Sequence, residues 1–171
     1  MNAMCNLRRR RAVRIVVSEA VTLVLLLIAQ AGCHSSTTGA TSTTAPLLTD
    51  FRQGMSVPPP PTRMTQGQSF LLEGVTVRNT GQQIWQARGN NQVELTYDWL
   101  NRDGKFVQHG SVTVLPADVQ PGQSASLVAT IVAPEAPGHY IIRFTMIAEK
   151  IAWFSNMGGG FVDYPVEVVL Q

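Results

Sequence analysis

Cys33 is the residue whose neighbours most clearly assign it a chemistry. It directly follows the small pair Ala31-Gly32, which closes an apolar run from Val21 to Ala29 (VTLVLLLIA). Ahead of that run lie Arg8, Arg9, Arg10, Arg11 and Arg14. A cationic start, an apolar stretch and a small-residue cleavage site, in that order, are the layout of a bacterial export signal. In lipoprotein signals the cysteine after the small pair is acylated on its thiol and becomes the first mature residue. Residues 1–32 are therefore expected to be a leader and Cys33 the lipidated link to a membrane. Gln30 stands where that pattern favours Leu, and Glu19 interrupts the apolar stretch. The competing outcomes are an uncleaved signal anchor starting at Ile15 and cleavage without lipidation. Nine apolar residues span only about 14 Å as a helix, against a hydrocarbon core of about 30 Å, which argues against a mature transmembrane helix.

The other reactive side chains form no recognisable catalytic set. His34, His109 and His139 lack HxH or HxxxH spacing, and no Cys/His/Asp grouping has metal-ligand spacing. There is no Gly-x-Ser-x-Gly elbow and no phosphate loop. Gly158-Gly159-Gly160 lacks the Lys and helix that a phosphate cradle needs, and reads as a plain flexible turn. Asp98 and Asp103 flank a hairpin and read as a solvated face and a turn residue rather than paired carboxylates. The expectation is a non-enzyme with no catalytic residue, metal or cofactor. Trp85, Trp153, Phe154 and Tyr164 fall at or near loops and are the candidate binding residues. Exposed aromatic rings stack on sugar faces or anchor protein partners. The competing reading is that Trp153 and Phe154 close the bottom of the core.

Charge and cysteine usage narrow the class further. Removing the five leader arginines and Glu19 from 13 basic and 11 acidic residues leaves eight and ten, a net charge of −2. No downstream Lys/Arg cluster remains, so nucleic acid is not an expected partner. Cys5 would leave with the leader and Cys33 would carry lipid, so the mature domain holds no disulfide and depends on a packed core.

These residues need a scaffold, and the pattern behind Cys33 is all-β. Residues 33–56 read as a flexible tether, Ser/Thr-rich from His34 to Thr49, which cannot bury enough apolar surface to order itself. Residues 57–171 read as one domain, entered through Pro58 to Pro61 as a stiff polyproline stretch. Strand patterns cover 69–78, 92–100, 105–115 (bent at Gly110), 124–133, 139–148 and 161–170, with turn residues between them. Val93, Leu95, Tyr97 and Trp99 take one face of a period-two strand, and Glu94, Thr96 and Asp98 take the other. Trp99 is the expected core anchor. Pro165 should sit at an edge or a bulge, because proline cannot donate to the ladder. About seven antiparallel strands with regular turns predict an immunoglobulin-like β-sandwich.

Three segments, in order, carry a family resemblance: VTVRNTGQQIW (75–85), VLPADVQPG (114–122) and APEAPGHY (133–140). The arrangement resembles the Ig-like FW (four-tryptophan, Next-to-BRCA1 central) domain. It is nearer to bacterial relatives, which often accompany glycosyltransferase or polysaccharide modules. The Trp153-Phe154 pair before a Gly-rich turn resembles the same branch. Trp85 and Trp99 match two of the four tryptophans, whereas Val75 and Phe144 stand at the other two positions. In this reading Asn79, Gly81, Trp99, Pro121, Gly122, Gly138 and Tyr140 are structural. Asn79 would bond its own turn, the glycines would supply positive φ, and Tyr140 would tie a turn to its strand like a tyrosine corner. The expected function is a lipid-anchored, periplasm-facing interaction module of the cell envelope with a protein partner. The alternative is a carbohydrate- or polysaccharide-binding accessory module. His34 rather than Asp after the cysteine favours outer-membrane delivery, by analogy with enteric sorting.

Overall fold

The computed structural model describes residues 46–171. Residues 1–32, Cys33 and the Ser/Thr-rich part of the tether lie outside the described residues. The strands are β1 (Gln53–Ser56), β2 (Arg63–Thr65), β3 (Ser69–Asn79), β4 (Val93–Asn101) and β5 (Phe106–His109). They continue with β6 (Thr113–Val114), β7 (Ser124–Val132), β8 (Gly138–Ala148), β9 (Ala152–Trp153) and β10 (Val162–Val169). One 3₁₀ turn, Phe154–Met157, follows β9. The small sheet has the order β1-β3-β7. The large sheet has the order β2-β10-β8-β4-β5, with β6 also paired to β4 and β9 to β8. Long strands alternate between the sheets (β3 small, β4 large, β7 small, β8 large), as in an immunoglobulin-like sandwich.

The sandwich departs from the all-antiparallel expectation at its start. β2 runs parallel to β10. The first strand is split: β1 lies in the small sheet, and the proline stretch, which cannot donate ladder bonds, carries the chain across to the large one. Pro165 fits β10 for a related reason. Glu167 N–H donates to Thr62 O (2.9 Å), so the nitrogen of Pro165, two residues earlier, faces the same side of the strand. β2 pairs only with Glu167–Val169, so no ladder bond is lost at Pro165.

Alternation builds the core. Val93, Leu95, Tyr97 and Trp99 of β4 meet Ile142, Phe144, Met146 and Ala148 of β8, and Leu127, Ala129 and Ile131 of β7 lie opposite. The Trp99 indole is fully buried, and its Nε1–H donates to Val132 O (3.0 Å). The other face of β4 is less solvated than alternation predicts: Glu94 and Thr96 are buried. The strand expected over 105–115 breaks into β5 and β6 around Gly110, whose N–H still donates to Tyr97 O (2.7 Å) and whose missing Cβ leaves room for the Tyr97 ring. Thr96 then reaches the carbonyl of Ser111 (3.4 Å) in that crossing segment.

The tether ends earlier than composition implied. Residues expected to be flexible up to 56 are instead docked from Leu48 onward. Leu48 and Phe51 are buried in the core. The Gln83 side-chain carbonyl accepts from Thr49 N–H and Asp50 N–H (2.8 and 2.9 Å), and β1 pairs with β3. Arg52, hydrogen-bonded to Asp50, holds that carboxyl well below the usual carboxylate range. The Ser/Thr tract masked this boundary, because Leu47, Leu48 and Phe51 are too few to make a periodic signal. Among the described residues no helix is long and apolar enough to cross a membrane.

Candidate functional site

The turn residues form a structural knot at one end of the sandwich. Asn79 is fully buried at the end of β3. Its Nδ2 donates to Gln83 O (2.7 Å) and Val119 O (2.9 Å), and its Oδ1 accepts from Gly81 N–H (3.0 Å). Gly81 does not need positive φ, contrary to the expectation. It is glycine because a Cβ would come 3.0 Å from the Asp50 carboxylate carbon. Gly122, after Pro121, has φ +82° and donates to Asn79 O (2.7 Å). Gly138 also lacks positive φ and makes room for the Tyr140 ring, 3.3 Å from an added Cβ. Tyr140 Oη donates to Ala136 O (2.9 Å), tying the turn to β8 as a tyrosine corner does.

Two of the four aromatic candidates cannot touch a ligand. Trp85 is fully buried, and its backbone exchanges hydrogen bonds with Val119 (3.0 and 2.9 Å). Phe154 is also fully buried, edge-on to Trp85 (5.5 Å) and to Phe51 (5.3 Å). The docked strap brings Phe51 in as the third ring, which is why loop position misjudged both residues. The glycine turn is packed against the same floor: a Cβ at Gly159 would strike Phe51 O. Tyr164 is half-buried, and its hydroxyl donates to Val57 O. Of the four, Trp153 remains on an open face.

Trp153 belongs to a cluster on the outer face of the large sheet. Strand register aligns His109, Asp98, Arg143 and Asp163 in a row across β5, β4, β8 and β10. His109 Nδ1 lies 2.7 Å from Asp98 Oδ1. Arg143 donates from Nε and Nη2 to the two Asp163 oxygens (2.9 and 2.8 Å). Those bonds push the Arg143 pKa above its ordinary value, burial opposes, and the charges of Asp163 and Asp98 add to the rise. The Phe161 ring lies 3.6 Å from Arg143 Cζ. Trp153 stacks on the His109 ring (4.9 Å, 19°), and Phe106 packs against it at 4.5 Å. A shallow pocket of about 280 Å³ is lined by Asp98, Phe106, His109, Arg143, Trp153 and Ser155, among others. A larger cleft of about 320 Å³ lies beside Pro165, lined by Arg102, His139, Tyr140 and Glu167, among others.

This arrangement suits binding. It offers exposed aromatic area at Phe106 (55%) and Phe161 (48%), next to an arginine fixed by a bidentate bond. Aromatic residues and arginine dominate interface energetics. The His109 imidazole is held between the Asp98 carboxylate and the Trp153 ring. No group of three or more potential metal ligands occurs among the described residues. Sequence reading missed Phe106, His109, Arg143, Phe161 and Asp163 as site residues. The signal available was alternation: Asp98 and Arg143 are the outward positions of β4 and β8, and a pairing register would have joined them.

No family model matches this sequence, and no curated protein matches it. Among solved structures, the chain is similar to a CARDB domain from Pyrococcus furiosus, with 17% identity, a TM-score of 0.38, and coverage of 70% of this chain and 94% of that one. It is also similar to a family 123 glycoside hydrolase from Clostridium perfringens, with 15% identity and a TM-score of 0.37. That match covers 64% of this chain and 22% of the hydrolase. At these values neither neighbour bears on what this chain binds.

Proposed function

We propose that this chain is a non-catalytic, lipid-anchored Ig-like module of the bacterial cell envelope, facing the periplasm and binding a protein partner. The outer membrane is its proposed site. The observation that carries the binding reading is the outer-face cluster of Phe106, Trp153 and Phe161 around the His109–Asp98–Arg143–Asp163 row. A face whose central row is paired and whose Phe106 and Phe161 rings stay exposed beside a half-buried Trp153 supports a flat macromolecular contact. The lipid reading rests on Cys33 behind its leader, and the family reading rests on the three FW-like segments.

A photocrosslinker at Val107, beside the cluster, should capture one specific envelope protein in cells. Trp153→Ala and Arg143→Ala should abolish that capture while the fold persists. Recovery of abundant bystanders alone would sink the protein-partner reading. A change in tryptophan fluorescence with polysaccharide fragments, lost in Trp153→Ala, would put a glycan in its place. Esterase activity sensitive to Ser155→Ala would overturn the non-catalytic reading. Labelled palmitate should enter the wild type and not Cys33→Ala.

A further inference from the structure

The four edges of the two sheets are not equally protected. β1, β2 and β5 have four, three and four residues, lengths at which an edge offers little to pair with. β7 is different. It is nine residues long (SASLVATIV), with no charge, no proline and no glycine. The bulge in its ladder with β3 lies on the β3 side, between Leu72 and Val75, so β7 itself stays regular. Among the described residues no strand pairs with its outer side. Natural edges are usually blunted by charge, proline or a bulge, and β7 has none of these.

The direction of its backbone groups can be read from two contacts. Ala133 N–H donates to Gln68 O (2.9 Å), so odd-numbered residues address β3. Val132 faces the other way. Its N–H donates to the Tyr97 hydroxyl (2.8 Å), and its carbonyl accepts from Trp99 Nε1 (3.0 Å). The last outward pair of groups is thus closed by core side chains. The outward groups of Ser126, Val128 and Thr130 remain in the middle of the strand. Val128 is 51% exposed, and Leu71, which faces Thr130 across the ladder with β3, is exposed as well.

We propose that β7 is a pairing edge for a second copy of this chain, joined antiparallel with the two-fold axis at Val128. Val128 is the central residue of β7, so the axis sets Val128 against its own copy and Ser126 against Thr130. Apolar and hydroxyl pairs are favourable cross-strand neighbours. The edge carries no charge, so self-association meets no like-charge repulsion there. The two small sheets would merge into one continuous six-stranded sheet, with β1-β3-β7 contributed by each copy. The outer face of the large sheet stays free for another partner.

The test uses the full chain in detergent micelles. Wild type should be dimeric by light scattering at high micromolar concentration. Val128→Cys should form a disulfide-linked dimer on mild oxidation, because facing residues in a hydrogen-bonded antiparallel pair have Cα atoms about 5.5 Å apart, within disulfide range. Asp103→Cys, in a distant hairpin turn and with the same native cysteines, is the control. Val128→Lys and Val128→Glu should each weaken the dimer about tenfold or more, and their equimolar mixture should restore it. Ser126→Lys should repeat the loss, and far-UV circular dichroism should show each variant folded. A monomeric wild type, Val128→Cys crosslinking no better than Asp103→Cys, or an undiminished Val128→Lys dimer would each overturn the proposal.

Discussion

Two aromatic clusters lie within one residue of each other, and they do opposite work. Phe154 points inward and forms the floor of the sandwich with Trp85 and Phe51. Trp153 turns outward and stacks on His109, above Asp98 and near Phe106. The divide is set by β9, whose pairing with β8 at Ile147–Trp153 puts Trp153 in the sheet plane just before the 3₁₀ turn drives Phe154 under it. An aromatic ring near a loop is thus neither core nor surface by its type. The floor supplies stability and the outer cluster supplies contact area.

Substitutions should separate these roles, starting with the largest effect. Phe154→Ala leaves a void between Trp85 and Phe51 and should cost about 3–5 kcal/mol, read by urea unfolding. A cost below about 1 kcal/mol would erase the distinction between the clusters. Asn79→Ala strips partners from Gly81 N–H, Gln83 O and Val119 O above that floor, and should cost about 2–3 kcal/mol in the same measurement. Trp153→Ala should cost less than about 1 kcal/mol, while abolishing partner capture. If it unfolds the domain instead, the outer cluster is structural.

The smallest effect is a pH-dependent one at Glu94, on the buried part of the same outer face. Burial first, and then the nearby Glu149, raise its pKa, while a hydrogen bond from Gln92 opposes them. The ionised carboxylate is therefore disfavoured in the folded state relative to the unfolded one. The penalty is fully present above the raised folded value and vanishes below the unfolded value of about 4.3. Glu94→Gln should raise the melting temperature at pH 7, and the gain should fade as pH falls below the ordinary carboxylate range, read by thermal unfolding across that span. Asp50 has the opposite sign: its lowered pKa contributes stability above the ordinary carboxylate range, lost as pH falls below it.

Much of the fold was legible in the sequence. The long strands β3, β4, β7, β8 and β10 announce themselves, because period-two alternation and turn residues are local signals. Trp99 and Tyr140 take their expected places for the same reason. The two-residue β6 and β9 and the split first strand leave no periodic trace, so they were invisible. Gly81 and Gly138 were recognised as special but for the wrong cause: their constraint is a neighbour's side chain, Asp50 or Tyr140, and not their own φ. The outer-face site was the least legible part, since its members come from β5, β4, β8, β9 and the segment around β10.

Strand number, alternation and turn residues together determined that this chain folds as a two-layer β-sandwich, and alternation set Val93, Leu95, Tyr97 and Trp99 facing inward. The residues from Arg8 to Cys33 by themselves carry the expectation of export and lipidation. Tertiary structure decided which aromatic rings are buried, because that depends on the strap carrying Phe51 beneath Trp85 and Phe154. It also decided that His109, Asp98, Arg143 and Asp163 share one row, because strand register is a long-range choice that no local spacing encodes.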